Sequence, residues 1–177
     1  VRYVYVISLD NDCKELLFIQ ERGFEGETKI HAIRLFADQI QTFEFTYDLE
    51  RSAMSRFSEP QNYLYDADVA ITKAGAFKSI GKAFGLSKIH QHSHLYTSEN
   101  FFPEFPGRVF QIQQVLPYSA LKKNNPFVQA NIATRNFPDK VDLIRKKYKI
   151  KDGGKTYLFF TTDSNNQLII IDCIRIR

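Results

Sequence analysis

The chain has 177 residues, 44% of them apolar and 16 of them Phe, enough for a well-filled core and too apolar for a disordered tail. The longest apolar runs, such as Leu168 to Ile171, fall far short of the ~20 residues a membrane span needs, and no basic-then-apolar leader is present. The net charge of +4 is unevenly placed: residues 1–118 hold 12 Lys/Arg against 15 Asp/Glu, whereas residues 119–177 hold 12 against 5. A net of +7 over the last third implies a surface that meets a polyanion. Cys13 and Cys173, unclustered, fit a reduced cytoplasmic protein rather than a disulfide scaffold.

In chain order, Arg2 to Leu9 alternates as a strand. The sequence begins inside that strand and without Met, so it is expected to be a piece of a longer protein. Asp10 and Asn11 offer N-caps for a helix through Cys13, Leu16, Leu17 and Ile19. Lys29 to Phe36 and Ile40 to Tyr47 read as strands joined through Ala37, Asp38 and Gln39, followed by a short helix from Asp48. Tyr63 to Ile71 is extended. Thr72 then caps a helix carrying Ala74, Phe77, Ile80 and Phe84 on one face and stopping at Gly85. His90 to Thr97 follows as a strand, which completes β-α-β-β-α-β, the ferredoxin-like split pattern. The prolines and glycine of NFFPEFPG, Asn100 to Gly107, mark a boundary.

Beyond it the pattern is β-α-β-α-β-β: strand Arg108–Leu116, a helical turn at Ser119–Lys123, strand Val128–Arg135, a basic helix Asp139–Lys149, and strands Tyr157–Thr162 and Leu168–Ile176. The expectation is an α+β chain, with residues 1–104 ferredoxin-like and 105–177 a second α+β domain.

The basic helix carries the main functional signal. Val141, Ile144 and Tyr148 form one apolar stripe, with Arg145, Lys146 and Lys149 opposite and Lys140 and Lys147 flanking it. Cations spaced along a rigid element suit a phosphate backbone, whose counterions they displace. A merely solvated face, with basic residues placed for the helix dipole, is the competing reading. Tyr157 and Phe159 share one strand face on which bases could stack, although Leu158 and Phe160 opposite them favour burial on both sides. Thr72 and Lys73, at a helix start, are a weaker anion site.

Other motifs carry less. DGGKT at Asp152 to Thr156 is not a phosphate loop, because the order here is helix, turn, strand; its glycines suit positive φ instead. His90, His92 and His94 alternate, so a strand would aim three imidazoles to one side, but no further ligand lies nearby in sequence. No glycine-rich turn for a dinucleotide or S-adenosylmethionine and no hydrolase motif is present.

The segments IHQHSHLYTSENFFPEFPGRVFQIQQVLPY, TRNFP and KKYKIKDGGKTYLFFTT resemble the C-terminal region of a bacterial family of class I S-adenosylmethionine-dependent methyltransferases, and NDCKELLF is similar to its ferredoxin-like segment. The matching residues are His90, His94, Tyr96, Thr97, Pro106 to Phe110, Arg135 to Pro138, Lys151, Gly153, Gly154 and Tyr157. The resemblance implies that the second domain is THUMP-like and that the chain recognises an RNA substrate for a catalytic domain upstream. On that expectation Arg135, Lys140, Arg145, Lys146, Lys147, Lys149 and Lys151 contact phosphates, no catalytic or metal-binding residue lies in this sequence, and S-adenosylmethionine belongs to the parent protein. A docking module that holds the catalytic domain or a second subunit, without nucleic acid, is the alternative.

Overall fold

A computed structural model describes residues 1–37 and 39–177. The chain forms two compact units, one from Val1–Ser55, Ala67–Leu86 and Glu104–Gly107, the other from Arg56–Asp66, Ser87–Pro103 and Arg108–Arg177.

The first unit is built on four strands, β1 (Tyr3–Leu9), β2 (Asp12–Ile19), β3 (Lys29–Phe36) and β4 (Gln39–Thr46), in the order β2-β1-β3-β4. The helix expected at Cys13–Ile19 is therefore a strand. Asp10 and Asn11 both adopt positive φ, 49° and 64°, and Leu9 pairs with Asp12. Asp and Asn tolerate the left-handed region well, so the pair makes a two-residue hairpin turn where a helix cap was expected. The link between β3 and β4 includes Asp38, which lies outside the described residues.

Three helices complete this unit: α1 (Tyr47–Ser52), α2 (Val69–Ala74) and α3 (Ser79–Ala83). The single helix expected from Thr72 to Phe84 is thus two short ones. Gly75 takes φ 85° as the C-cap of α2, which ends the first. Asp68, not Thr72, caps α2 by accepting from the Ala70 N–H. Thr72 lies within the helix and donates to the Val69 carbonyl, so it forms no helix-start anion site with Lys73. Asp68 is 1% exposed; it also accepts from the Ser8 hydroxyl and lies 3.2 Å from the buried Arg34 Nε. Val4, Val6, Ile30, Ala32 and Phe45 bury the same sheet face. On the other, Tyr5 and His31 stack at 4.8 Å, and Leu17, Ile19 and Ile40 remain exposed.

The second unit is an eight-stranded sheet. Its strands are β5 (Arg56–Phe57), β6 (Tyr63–Ala67), β7 (Ser87–Lys88), β8 (Leu95–Ser98), β9 (Gly107–Pro117), β10 (Asn131–Arg135), β11 (Thr156–Thr162) and β12 (Leu168–Arg175). Their spatial order is β10-β11-β12-β9-β6-β8-β7-β5. Helices α4 (Ser119–Lys123) and α5 (Val141–Tyr148) give β9-α4-β10-α5-β11-β12, the β-α-β-α-β-β pattern expected. One core holds Tyr118, Leu121, Phe127, Ile144, Ile150, Leu158, Phe160 and Ile170. The alternate residues Phe159, Ile169, Ile171 and Cys173 join Leu64, Ile89, Leu95 and Phe110 in a second. Both faces of β11 are therefore covered, which explains its near-continuous apolar run. The strand expected at His90–Thr97 begins only at Leu95. His90 to His94 is a turn, with His94 at φ 53°, so the three imidazoles do not line one strand face.

Candidate nucleic-acid interface

Helix α5 and the segment after it display most of the basic residues. Burial of Ile144 seats the helix on the core. Its N-cap position is Lys140, without a side-chain cap; the Asp139 carboxylate instead accepts from the Tyr118 hydroxyl at 2.7 Å. Lys149 ends the helix in the left-handed region, φ 56° and ψ 36°, a position more often given to Gly.

The seven basic residues differ in what holds them. Arg145 is committed to the fold. Its Nη1 donates to the carbonyls of Ala130, at 3.1 Å, and Ile150, at 3.4 Å, and its Nη2 pairs with Asp152. Those bonds tie the end of α5 to the start of β10. Two backbone bonds continue the tie, Ala130 N–H to the Lys151 carbonyl and Lys151 N–H to the Val128 carbonyl, both at 2.9 Å. Arg135 donates to the Thr134 carbonyl and pairs at 3.3 Å with Asp66, a buried carboxylate that also binds Arg108. Lys147 packs over the rings of Tyr118 and Tyr148 and lies 3.9 Å from Asp139. Burial first, then the Tyr148 phenol and Asp139 carboxylate, push the Tyr118 phenol well above its ordinary range.

Lys140, Lys146, Lys149 and Lys151 are exposed, and among the described residues they have no ion-pair or hydrogen-bond partner for their side chains. Lys149 and Lys151 stand on backbone that Arg145 anchors. The Gly-Gly turn next to them is equally fixed: Gly153 and Gly154 have φ 92° and 84°, as positive-φ turn glycines were expected to. Gln129 Nε2 donates to the Asp152 carbonyl at 2.8 Å and Asn131 Nδ2 to the Gly154 carbonyl at 2.9 Å. Lys155, exposed on this turn, is a cation that reading DGGKT only as a turn overlooks. Tyr157 packs 5.1 Å from Phe110, and Phe159 is 1% exposed, so β11 offers no stacking platform. Asp66 falls in the extended stretch Tyr63 to Ile71, and nothing in its sequence context marks it as the carboxylate that collects two arginines.

Residues 63–106 match a ferredoxin-like domain and residues 107–175 a domain described as THUMP domain-like. The chain carries these two domains. The THUMP-like match includes all seven basic residues. A crystal structure of a "putative methyltransferase" from Porphyromonas gingivalis W83 is 34% identical, with a TM-score of 0.90; the similarity covers 99% of this chain and 46% of that one. The chain therefore spans less than half the length of that protein. Among curated proteins there is no match. No helix of the described residues is long and apolar enough to cross a membrane.

Proposed function

We propose that the chain holds RNA for an S-adenosylmethionine-dependent methyltransferase whose catalytic domain lies outside this sequence, and that it works in the cytoplasm. The THUMP-like domain, from residue 105 onward, meets the RNA, and the parent protein binds the cofactor. One observation carries the reading: among the described residues Lys146, Lys149 and Lys151 lack acidic partners, and they stand on a helix end and the segment after it that Arg145 locks. A solubilising face needs no such anchoring. The similarity to a longer protein described as a "putative methyltransferase" supports a methyltransferase as the parent protein.

The phosphate contacts fall first to Lys140, Lys146, Lys149 and Lys151, with Lys147 and Arg135 half engaged elsewhere. Four contacts give a slope of log K against log salt of about −3 for single strands. An electrophoretic titration against tRNA and rRNA fragments tests this. Replacing the four lysines by Glu is expected to abolish the slope; affinity indifferent to salt, or retained in that variant, refutes the reading.

A second reading rests on the other unit. Leu16, Leu17, Phe18, Ile19 and Ile40 are 44–72% exposed on the sheet of β1 to β4. Consecutive apolar residues on an edge strand suit a docking surface for the catalytic domain or a second subunit. Light scattering separates the two: self-association relieved by Leu17→Lys supports docking, and a monomer at all concentrations opposes docking to a second copy.

A further inference from the structure

The second unit also holds a cleft of about 490 Å³, lined by Phe57, His90, Gln91, His92, Ser164 and Asn166. Its chemistry follows from one hydrogen bond. The backbone N–H of His92 lies 3.1 Å from His90 Nδ1, and a backbone N–H can only donate. His90 Nδ1 is therefore an unprotonated acceptor, and the neutral ring carries its proton on Nε2. That assignment orients two amides. Asn136 Nδ2 donates to His90 Nδ1 at 2.9 Å, and Asn166 Oδ1 accepts from Nε2 at 3.3 Å. The Asn166 amide nitrogen is left to donate elsewhere. Both asparagines sit in the left-handed region, φ 50° and 60°.

The walls are built rather than loose. In the β11–β12 turn, Asp163 Oδ1 accepts the N–H groups of Asn165, at 2.9 Å, and Gln167, at 2.7 Å. Glu59 accepts from the Ser164 hydroxyl at 3.1 Å and the Asn165 amide at 2.7 Å, which ties that turn to the chain beside Phe57. Phe57 is 50% exposed, and His92 is exposed with its ring 5.6 Å from that of His90.

Among the described residues no Lys or Arg lines the cleft, so a phosphate meets no cation there. Both nitrogens of His90 are engaged, which argues against a metal ligand. What remains is two planar rings with open faces and a set of amide and hydroxyl groups, the complement of an uncharged heteroaromatic ring. We propose that this cleft takes one unstacked nucleobase, stacked on Phe57 or His92 and read at its edge by Gln91, Ser164 and Asn166. The inference deepens the RNA reading and rests on it.

The test uses uncharged nucleosides, adenosine and uridine, titrated at millimolar concentration into the ¹⁵N-labelled full chain. Saturable shifts at the Gln91, His92 and Asn166 amides are expected. Phe57→Ala and His92→Ala, both at exposed side chains, should each weaken nucleoside and single-stranded RNA binding roughly tenfold while leaving the salt slope unchanged. Unmoved signals, or equal shifts with inorganic phosphate, overturn the cleft. RNA binding that falls in the lysine variants but not in Phe57→Ala or His92→Ala sinks the cleft and spares the RNA reading. Nucleoside shifts from a chain that binds no RNA keep the cleft and sink that reading.

Discussion

Replacing Arg145 by Met separates anchoring from binding within the basic surface. Methionine keeps the packed stem and removes the guanidinium. The lost ion pair with Asp152 contributes little, because Asp152 is 80% exposed and water screens it. The larger loss is the pair of bonds to the carbonyls of Ala130 and Ile150, both residues buried. Hydrogen bonds from a charged donor contribute about 1.5–3 kcal/mol each and share one side chain here, so a cost of about 2–4 kcal/mol is expected. Lys146→Met, on the open side of the same helix, should cost less than about 0.5 kcal/mol. Amide hydrogen exchange reads this locally, at the N–H groups of Ala130 and Lys151 that join the two segments. RNA affinity should fall in both variants, but only Arg145→Met should lose protection. Equal protection in the two would refute the anchoring role and return Arg145 to the open cations.

Three further outcomes are expected. Asp68→Ala removes the α2 cap and leaves Arg34 buried without its carboxylate, so urea unfolding should show a loss of about 3–5 kcal/mol, while Asp68→Ala with Arg34→Met should recover much of it. Burial raises the Tyr65 phenol to about 12, partly offset by the Phe102 N–H that donates to its oxygen. The unfolded phenol titrates near 10, so the stability is fully present below pH ~10 and is lost as pH rises toward 12; tyrosinate absorbance should show Tyr65 and Tyr118 ionising late, together with unfolding, and Tyr65→Phe should remove part of that late change. Gly153→Ala should cost about 1–2 kcal/mol, because φ is 92° and the new Cβ would lie 3.3 Å from Gln129 Nε2; a neutral result by thermal melting would contradict this.

The last third of the chain was the most legible part. Its strands alternate or run apolar, its helix shows one stripe, and its turns fall at Gly153, Gly154 and Asp163 to Asn166, so local chemistry and final structure agree. The opening is ambiguous in sequence because Asp10-Asn11 serves equally as a helix cap or a left-handed turn, and pairing with β1 decides between them. Gly75 falls inside the helix expected from Thr72 to Phe84, and its positive φ ends α2 there. Within the site, Arg145 and Lys146 look equivalent as charges. A rotation of about 100° around α5 leaves one bonded to carbonyls and the other in water. The cleft around His90 was out of reach, because residues 57, 90, 136 and 166 converge only through the sheet order.

Lys149 ends its helix in a conformation that costs an L-residue about 1 kcal/mol or more relative to glycine. Glycine there would relax the backbone and delete a cation in the same step. A library screened for heat tolerance alone would therefore enrich the glycine variant, and one screened for RNA capture would discard it. Opposed selection at a single codon is a signature that a solubilising lysine would not leave.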